Sequence, residues 1–93
     1  LYEESAFLNA PSRLAKRVLN LAMLHGRQVD DGYELRISQS DLAQFLGMSR
    51  QIVNHHLQSW RSEGYVDVAR ARLKVLDPSS LRRIAGSAGD RAD

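Results

Sequence analysis

The chain has 93 residues, enough for one domain with a modest core and too few for two. Hydrophobic residues make up 43% and charged residues 26% of the sequence, a composition typical of a folded globular protein. Cysteine is absent, which excludes disulfides, thiolate metal ligands and a thiol nucleophile. The sequence has no apolar stretch that could span a bilayer and no signal-peptide pattern, so we expect a cytoplasmic protein that does not bind membranes.

The formal net charge is +2, with 13 Lys and Arg against 11 Asp and Glu. Basic residues cluster outside the acidic N-terminal stretch, and this local excess favours a polyanionic partner. The sequence begins at Leu1 rather than Met, so we expect it to be a fragment of a longer protein. We expect residues 1–8, which mix aromatic and acidic side chains, to be either the end of a linker or dimerisation helix from a missing N-terminal domain or a frayed end.

The first regular element is a predicted helix from about Ala10 to His25. Asn9 is a suitable N-cap, Pro11 is tolerated in a first helical turn, and apolar residues then recur at helical spacing until Gly26.

A turn and a strand are predicted next. Asp30-Asp31-Gly32 is typical of a turn, and residues 33–37 alternate apolar and polar side chains, as a half-buried strand does. Gln28 and Val29 are the residues expected to pair with this strand.

Residues 37–60 predict two helices that meet at Gly47. Ser38 followed by Asp41 forms a capping box at the start of the first helix. Its apolar positions are Leu42, Ala43, Phe45 and Leu46. Gly47 ends this helix because glycine adopts positive φ without steric cost, and Ser49 can cap the second helix.

The second helix of this pair has two distinct faces. The inward face consists of Val53, His56, Leu57 and Trp60. The outward face consists of Arg50, Gln51, Asn54, His55 and Gln58. Its side chains are long, polar and free of acid, as expected for a helix that contacts base edges in a DNA major groove.

A β-hairpin is predicted after Gly64, with strands at residues 65–68 and 73–76 joined by residues 69–72. Arg70 and Arg72 lie at its tip, either in contact with phosphates or as a solvated turn. Ser79 or Ser80 is then expected to cap a last short helix that ends near Ala85, and residues 86–93 have the composition of a flexible tail.

Together these segments resemble a known family. Residues 37–43, residues 46–54 with their Leu-Gly-x-Ser-Arg-x-x-Val core, Leu57, and residues 64–73 are similar to the C-terminal winged helix-turn-helix of Crp/Fnr family bacterial transcription regulators. The resemblance covers roughly residues 8–84. It implies an α+β fold for residues 9–85, with a three-helix core, a small antiparallel sheet with a wing, and a short C-terminal helix.

The resemblance also implies a function. The whole protein is expected to be a homodimer that binds a two-fold symmetric site on double-stranded DNA and contacts RNA polymerase. Its N-terminal β-roll sensor, with a cyclic nucleotide or another effector, is absent from this chain, and no cofactor is expected in this domain.

Site residues carry over from the family position by position. The base-reading residues, on a recognition helix at residues 49–63, are Arg50, Gln51, Asn54 and His55. The residues expected at the DNA backbone are Ser38, Gln39, Ser40, Ser49, Gln58, Arg70 and Arg72. Many members carry glutamate in place of Gln51 and arginine in place of His55, so the best-known half-site of the family does not transfer directly.

Other functions have less support in the sequence. His55 and His56 are adjacent on a helix and point about 100° apart, so no metal site is expected there. We expect no enzyme, because a Gly-x-Ser-x-Gly elbow and a phosphate-binding loop are both missing. The alternatives are a winged helix used for protein interaction and a winged helix regulator of another family. The sequence leaves the operator, the effector and the direction of regulation open.

Overall fold

The computed structural model describes the backbone of residues 10–92 and the side chains of residues 10–86. Its elements are α1 (Ala10–His25), β1 (Arg27–Val29), β2 (Gly32–Leu35), α2 (Gln39–Leu46), α3 (Arg50–Ser62), β3 (Val66–Ala69), β4 (Arg72–Val75) and α4 (Pro78–Ala92). The strands form one antiparallel sheet in the order β1-β2-β4-β3. This confirms the predicted α+β winged helix-turn-helix.

The expectations for residues 1–8 and for Asn9 lie outside the described residues. None of the helices in residues 10–92 is long and apolar enough to cross a membrane.

Helix α1 is the centre of the core, and its bounds match the prediction. Leu14, Ala15, Val18 and Ala22 are completely shielded from solvent. They belong to a buried apolar cluster to which α2, α3, the sheet and α4 also contribute. Ser12 adds a buried tie to α4, because its hydroxyl donates a hydrogen bond of 2.7 Å to the Ala85 carbonyl. The helix-turn-helix is therefore built on α1.

The sheet begins with a tight hairpin between β1 and β2. Val29 pairs with Gly32 across the turn, in which Asp30 has a φ of 50°. Gly32 lies so close to β4 that a Cβ atom there would be 1.8 Å from the Val75 carbonyl oxygen. β2 ends at Leu35, whose partner on β4 is Leu73, and not at residue 37 as expected.

The start and length of α4 correct the sequence prediction. Asp77 caps this helix, and neither Ser79 nor Ser80 does so. The Asp77 carboxylate accepts hydrogen bonds from the Ser80 amide at 3.2 Å and from the Ser80 hydroxyl at 2.7 Å. These bonds lower the pKa of Asp77. The helix continues through Ala92, so it is longer than the short helix expected to end near Ala85.

Candidate nucleic-acid interface

The turn between α2 and α3 is fixed by two serine caps and one glycine. Ser38 accepts a 3.0 Å hydrogen bond from the Asp41 amide, and Ser49 accepts one of 3.1 Å from the Ile52 amide. Gly47 is left-handed, with φ 69° and ψ 29°, and its amide donates to the Gln44 carbonyl. Both predicted caps and the predicted glycine conformation are confirmed. These local bonds set the orientation of α3 relative to α2.

The two faces of α3 are those expected from its sequence. Val53, Leu57 and Trp60 are buried, and His56 is half-buried. The residues predicted for the outward face are all exposed, namely Arg50, Gln51, Asn54, His55 and Gln58. Burial of one apolar stripe anchors the helix, so the opposite polar face is presented to solvent.

One apolar residue of the helix-turn-helix behaves differently from its neighbours. Leu42, Ala43 and Leu46 of α2 are buried, whereas Phe45 is 60% exposed. Phe45 lies instead at the edge of a recess of about 550 Å³ that also includes Leu21, Leu35 and Ile37. The grouping of Phe45 with the core side of α2 was therefore wrong, because this short helix buries a narrower stripe than its apolar spacing indicates.

His56 forms a small ring cluster on α3. Its imidazole centroid lies 5.2 Å from that of His55, edge-on, and 6.4 Å from that of Trp60. Burial lowers the pKa of His56, and the neighbouring His55 lowers it further. The neutral imidazole is therefore favoured in the folded domain, which fits an inward-facing residue better than a cation for DNA.

The wing is the hairpin of β3 and β4. Ala69 pairs with Arg72, so the turn consists of Arg70 and Ala71 only, and Ala71 takes a φ of 59°. This turn is two residues shorter than the residue 69–72 connection predicted. Arg70 is exposed at its tip.

A groove of about 360 Å³ joins the helix-turn-helix to the wing. It brings together parts of α2, α3 and the wing that are distant in sequence. Its lining residues are Ser38, Gln39, Ser40, Arg50, Gln58, Val68, Ala69, Arg70 and Ala71. Six of the eleven predicted site residues therefore share one concave surface, and two of these six are cations, Arg50 from α3 and Arg70 from the wing.

The other predicted residues are distributed around this groove. Gln51 and His55 line a neighbouring recess of about 300 Å³ with Ile52 and His56. Asn54 is exposed on α3, and Ser49 is occupied as the cap of that helix.

Arg72 lies apart from the groove. Its Nη1 atom is 3.4 Å from Oε2 of Glu34, a buried carboxylate on β2. Oε1 of the same carboxylate is 3.4 Å from Nη2 of Arg27 on β1. Glu34 was not predicted from the sequence, although an acid inside a short alternating strand is a visible signal for a paired carboxylate.

Residues 12–84 match the family model described as the Crp-like helix-turn-helix domain. The chain belongs to this family. Membership confirms the predicted fold class and supports the predicted DNA binding by this domain.

Individual relatives of this Crp-like domain are transcription regulators. A CRP-like cAMP-activated global transcriptional regulator of Mycobacterium tuberculosis is 32% identical over 83 residues, which cover 85% of this chain and 36% of the relative. The CO-dependent transcription factor CooA of Carboxydothermus hydrogenoformans has a TM-score of 0.75 at 28% identity, over 86% of this chain and 38% of that chain. A CRP-family transcriptional regulator of Thermus thermophilus has a TM-score of 0.73 at 28% identity, over 90% and 45%. The chain thus spans about a third of the length of the curated relatives it matches.

Proposed function

We propose that this Crp-like domain inserts α3 into the major groove of double-stranded DNA, with the start of α2 and the wing against the phosphates. The observation that carries the proposal is the shared groove between α2, α3 and the wing. Arg50 and Arg70 supply cations to it, and its lining residues include no acid. Such a surface fits a duplex, because phosphates flank the major groove on both sides.

The bases are read from the exposed face of α3. Arg50 can donate two parallel hydrogen bonds to O6 and N7 of guanine, and Gln51 can pair with N6 and N7 of adenine. Asn54 and His55 complete the base-reading set. Support comes from the exposure of all four side chains and from the absence of acid within α3.

The phosphates are contacted from two helix starts and the wing. The proposed backbone set in the groove is Ser38, Gln39, Ser40, Gln58 and Arg70, together with Ser49 at the start of α3. Helix N-termini favour anions, because the first amides of a helix lack partners within it and carry a partial positive charge. Hydroxyl and amide side chains beside them add neutral donors for phosphate oxygens.

The whole protein is proposed to act as a cytoplasmic homodimer on a two-fold symmetric operator. Two domains would then contact half-sites about 34–36 Å apart and would cooperate with RNA polymerase. A cyclic nucleotide or another effector would bind in a separate N-terminal sensor, in keeping with the cAMP-activated relative. We assign no catalytic activity to this domain.

The test is a selection from random duplex DNA with this chain fused at its N-terminus to a dimerising coiled coil. Wild type is compared with Arg50→Ala and with Arg13→Ala, which removes an exposed cation from α1, away from the groove. We expect a two-fold symmetric motif. Arg50→Ala should lose a guanine preference at one position of each half-site and bind the selected site about 5- to 150-fold more weakly, whereas Arg13→Ala should keep the motif.

Two outcomes would contradict the proposal. Equal losses on selected and on random DNA for Arg50→Ala would refute base reading by this residue. Failure to enrich any motif would instead favour a winged helix used for protein interaction, since the exposed face of α3 would then have no role on DNA.

A further inference from the structure

Glu34 is a buried carboxylate held between two arginines. It is 7% exposed, whereas the side chains of Arg27 and Arg72 are 76% and 47% exposed. The pairing register explains the arrangement, because Arg27 on β1 and Lys74 on β4 are the Cα partners of Glu34 on either side. Arg72 lies two residues before Lys74, and alternate strand residues share a face. A charged carboxylate that is shielded from solvent to this degree requires cationic or hydrogen-bonding partners, and the two arginines provide them.

The interaction of Glu34 with Arg72 lies where the sheet stops supporting the wing. Pairing of β2 with β4 ends at Leu35 and Leu73, so residues 69–72, here called the wing tip, extend beyond β2. Within the tip, backbone pairing joins Ala69 only to Arg72. The Arg72 side chain extends from the end of β4 that is not paired with β2 back to the Glu34 carboxylate. The wing tip is thereby tied by a side chain to the centre of the sheet.

We infer that Glu34 is a positioning residue for DNA binding, which holds the wing tip through Arg72 so that Arg70 faces the groove. Arg72 then serves this ion pair and is not itself a phosphate ligand. The inference rests on the proposed function, and it adds the acidic residue Glu34 to a set of DNA-binding residues that otherwise contains no acid. It has an unusual consequence: removing this acid should weaken binding to a polyanion, although simple charge counting predicts the reverse.

The test measures the affinity of the full chain for a random-sequence duplex by fluorescence anisotropy over a series of salt concentrations. The slope of log K against log salt falls by about 0.9 for each phosphate that the protein ceases to neutralise. We expect Arg70→Ala to reduce this slope by up to about 0.9. Glu34→Gln and Arg72→Gln should also weaken binding, and neither should reduce the slope by more than Arg70→Ala does. Asp67→Asn, which removes an exposed acid from β3 of the same sheet, should leave the affinity unchanged or raise it.

Double variants separate positioning from direct phosphate binding. If Arg72 acts only by placing Arg70, then Arg70→Ala combined with Arg72→Gln, or with Glu34→Gln, should reduce the slope no more than Arg70→Ala alone. An additive reduction near 1.8 for the two arginines, about twice the value for one phosphate, would identify Arg72 as a phosphate ligand and overturn the inference. Unchanged or tighter binding by Glu34→Gln would overturn it as well.

A measurement without DNA keeps the inference separate from the proposed function. Heteronuclear ¹⁵N NOE values at residues 69–72 should fall in Glu34→Gln and in Arg72→Gln, whereas those in the β1–β2 turn at residues 30–31 should not change. Unfolding curves confirm that each variant folds, and Arg72→Gln replaces Glu34→Gln if the latter does not. Unchanged NOE values at the wing tip refute the positioning role, whereas absence of salt-dependent binding by wild type refutes only the proposed function.

Discussion

Replacing Gly47 by alanine isolates the conformational cost of the turn between α2 and α3. Gly47 is left-handed at φ 69°, and a Cβ atom added there would meet nothing within 4 Å. The expected cost is therefore strain alone, about 1–2 kcal/mol for an L-residue in this conformation. Alanine also restricts the unfolded chain, which offsets about 0.4–1 kcal/mol. We expect a net loss of about 1 kcal/mol, or about 4–8 °C in Tm.

Two comparison variants test whether backbone strain explains this loss. Gly47→Asn should cost less than Gly47→Ala, since asparagine adopts the left-handed conformation more readily. Gly32→Ala should cost clearly more, because its Cβ would lie 1.8 Å from the Val75 carbonyl oxygen and the strands would have to separate. Urea unfolding followed by the fluorescence of Trp60, the single tryptophan and 5% exposed, measures all three. Equal losses at Gly47 and Gly32, or a larger loss with asparagine than with alanine, would show that backbone strain is not what Gly47 relieves.

Three further predictions concern pH and helix packing. Burial and His55 lower the pKa of His56 below 6.5, so the unfolded chain binds a proton at this residue more tightly than the folded chain does. The contribution of His56 to the free energy of unfolding should therefore be fully present above about pH 6.5 and decrease as the pH falls below it. Urea midpoints measured near pH 7.5 and pH 5.5 should show that His56→Leu removes part of this decrease. The hydrogen bonds from Ser80 lower the pKa of Asp77, so its contribution to the free energy of unfolding is present above the unfolded pKa of 3.8 and is lost as the pH falls through the folded pKa. Asp77→Ala should therefore lower Tm at neutral pH and make the decline of Tm in acid less steep. Ser12→Ala should cost about 0.5–1.5 kcal/mol in urea unfolding through loss of the bond to Ala85, and an unchanged midpoint would contradict this.

The elements predicted best from the sequence are those fixed by neighbouring residues. The bounds of α1, the caps at Ser38 and Ser49, the left-handed Gly47 and the two faces of α3 all follow from signals within one or two helical turns. The caps and Gly47 rest on local backbone chemistry, and the faces of α3 rest on the helical spacing of apolar residues, so both can be predicted from one short segment.

The α4 cap was missed although a local signal existed. Asp77, Ser79 and Ser80 are all residues that cap helices, and the choice among them depended on Pro78. Proline is favoured at the first helical position, which makes the preceding residue the cap. Asp77 does fill this role.

The role of Arg72 was beyond reach of the sequence. Its partner Glu34 is 38 residues away and is brought near only by the register of β2 on β4. Phe45 likewise fits the apolar spacing of α2 and is nevertheless 60% exposed. Strand register and helix packing are decided by the whole core, so periodicity within one helix does not reveal them.

The spacing of the exposed residues on α3 limits how much genetic information one domain can extract. Residues 50 and 58 are eight positions apart, which is about 12 Å along the helix axis at 1.5 Å per residue. On the proposed binding mode this length covers about four base pairs at 3.4 Å each. A four-letter word recurs by chance about once in every 256 positions, so in a genome of about a million base pairs it has thousands of copies. A single domain would therefore find thousands of matching sites, whereas two such half-sites at a fixed separation would recur by chance only about 15 times in the same genome.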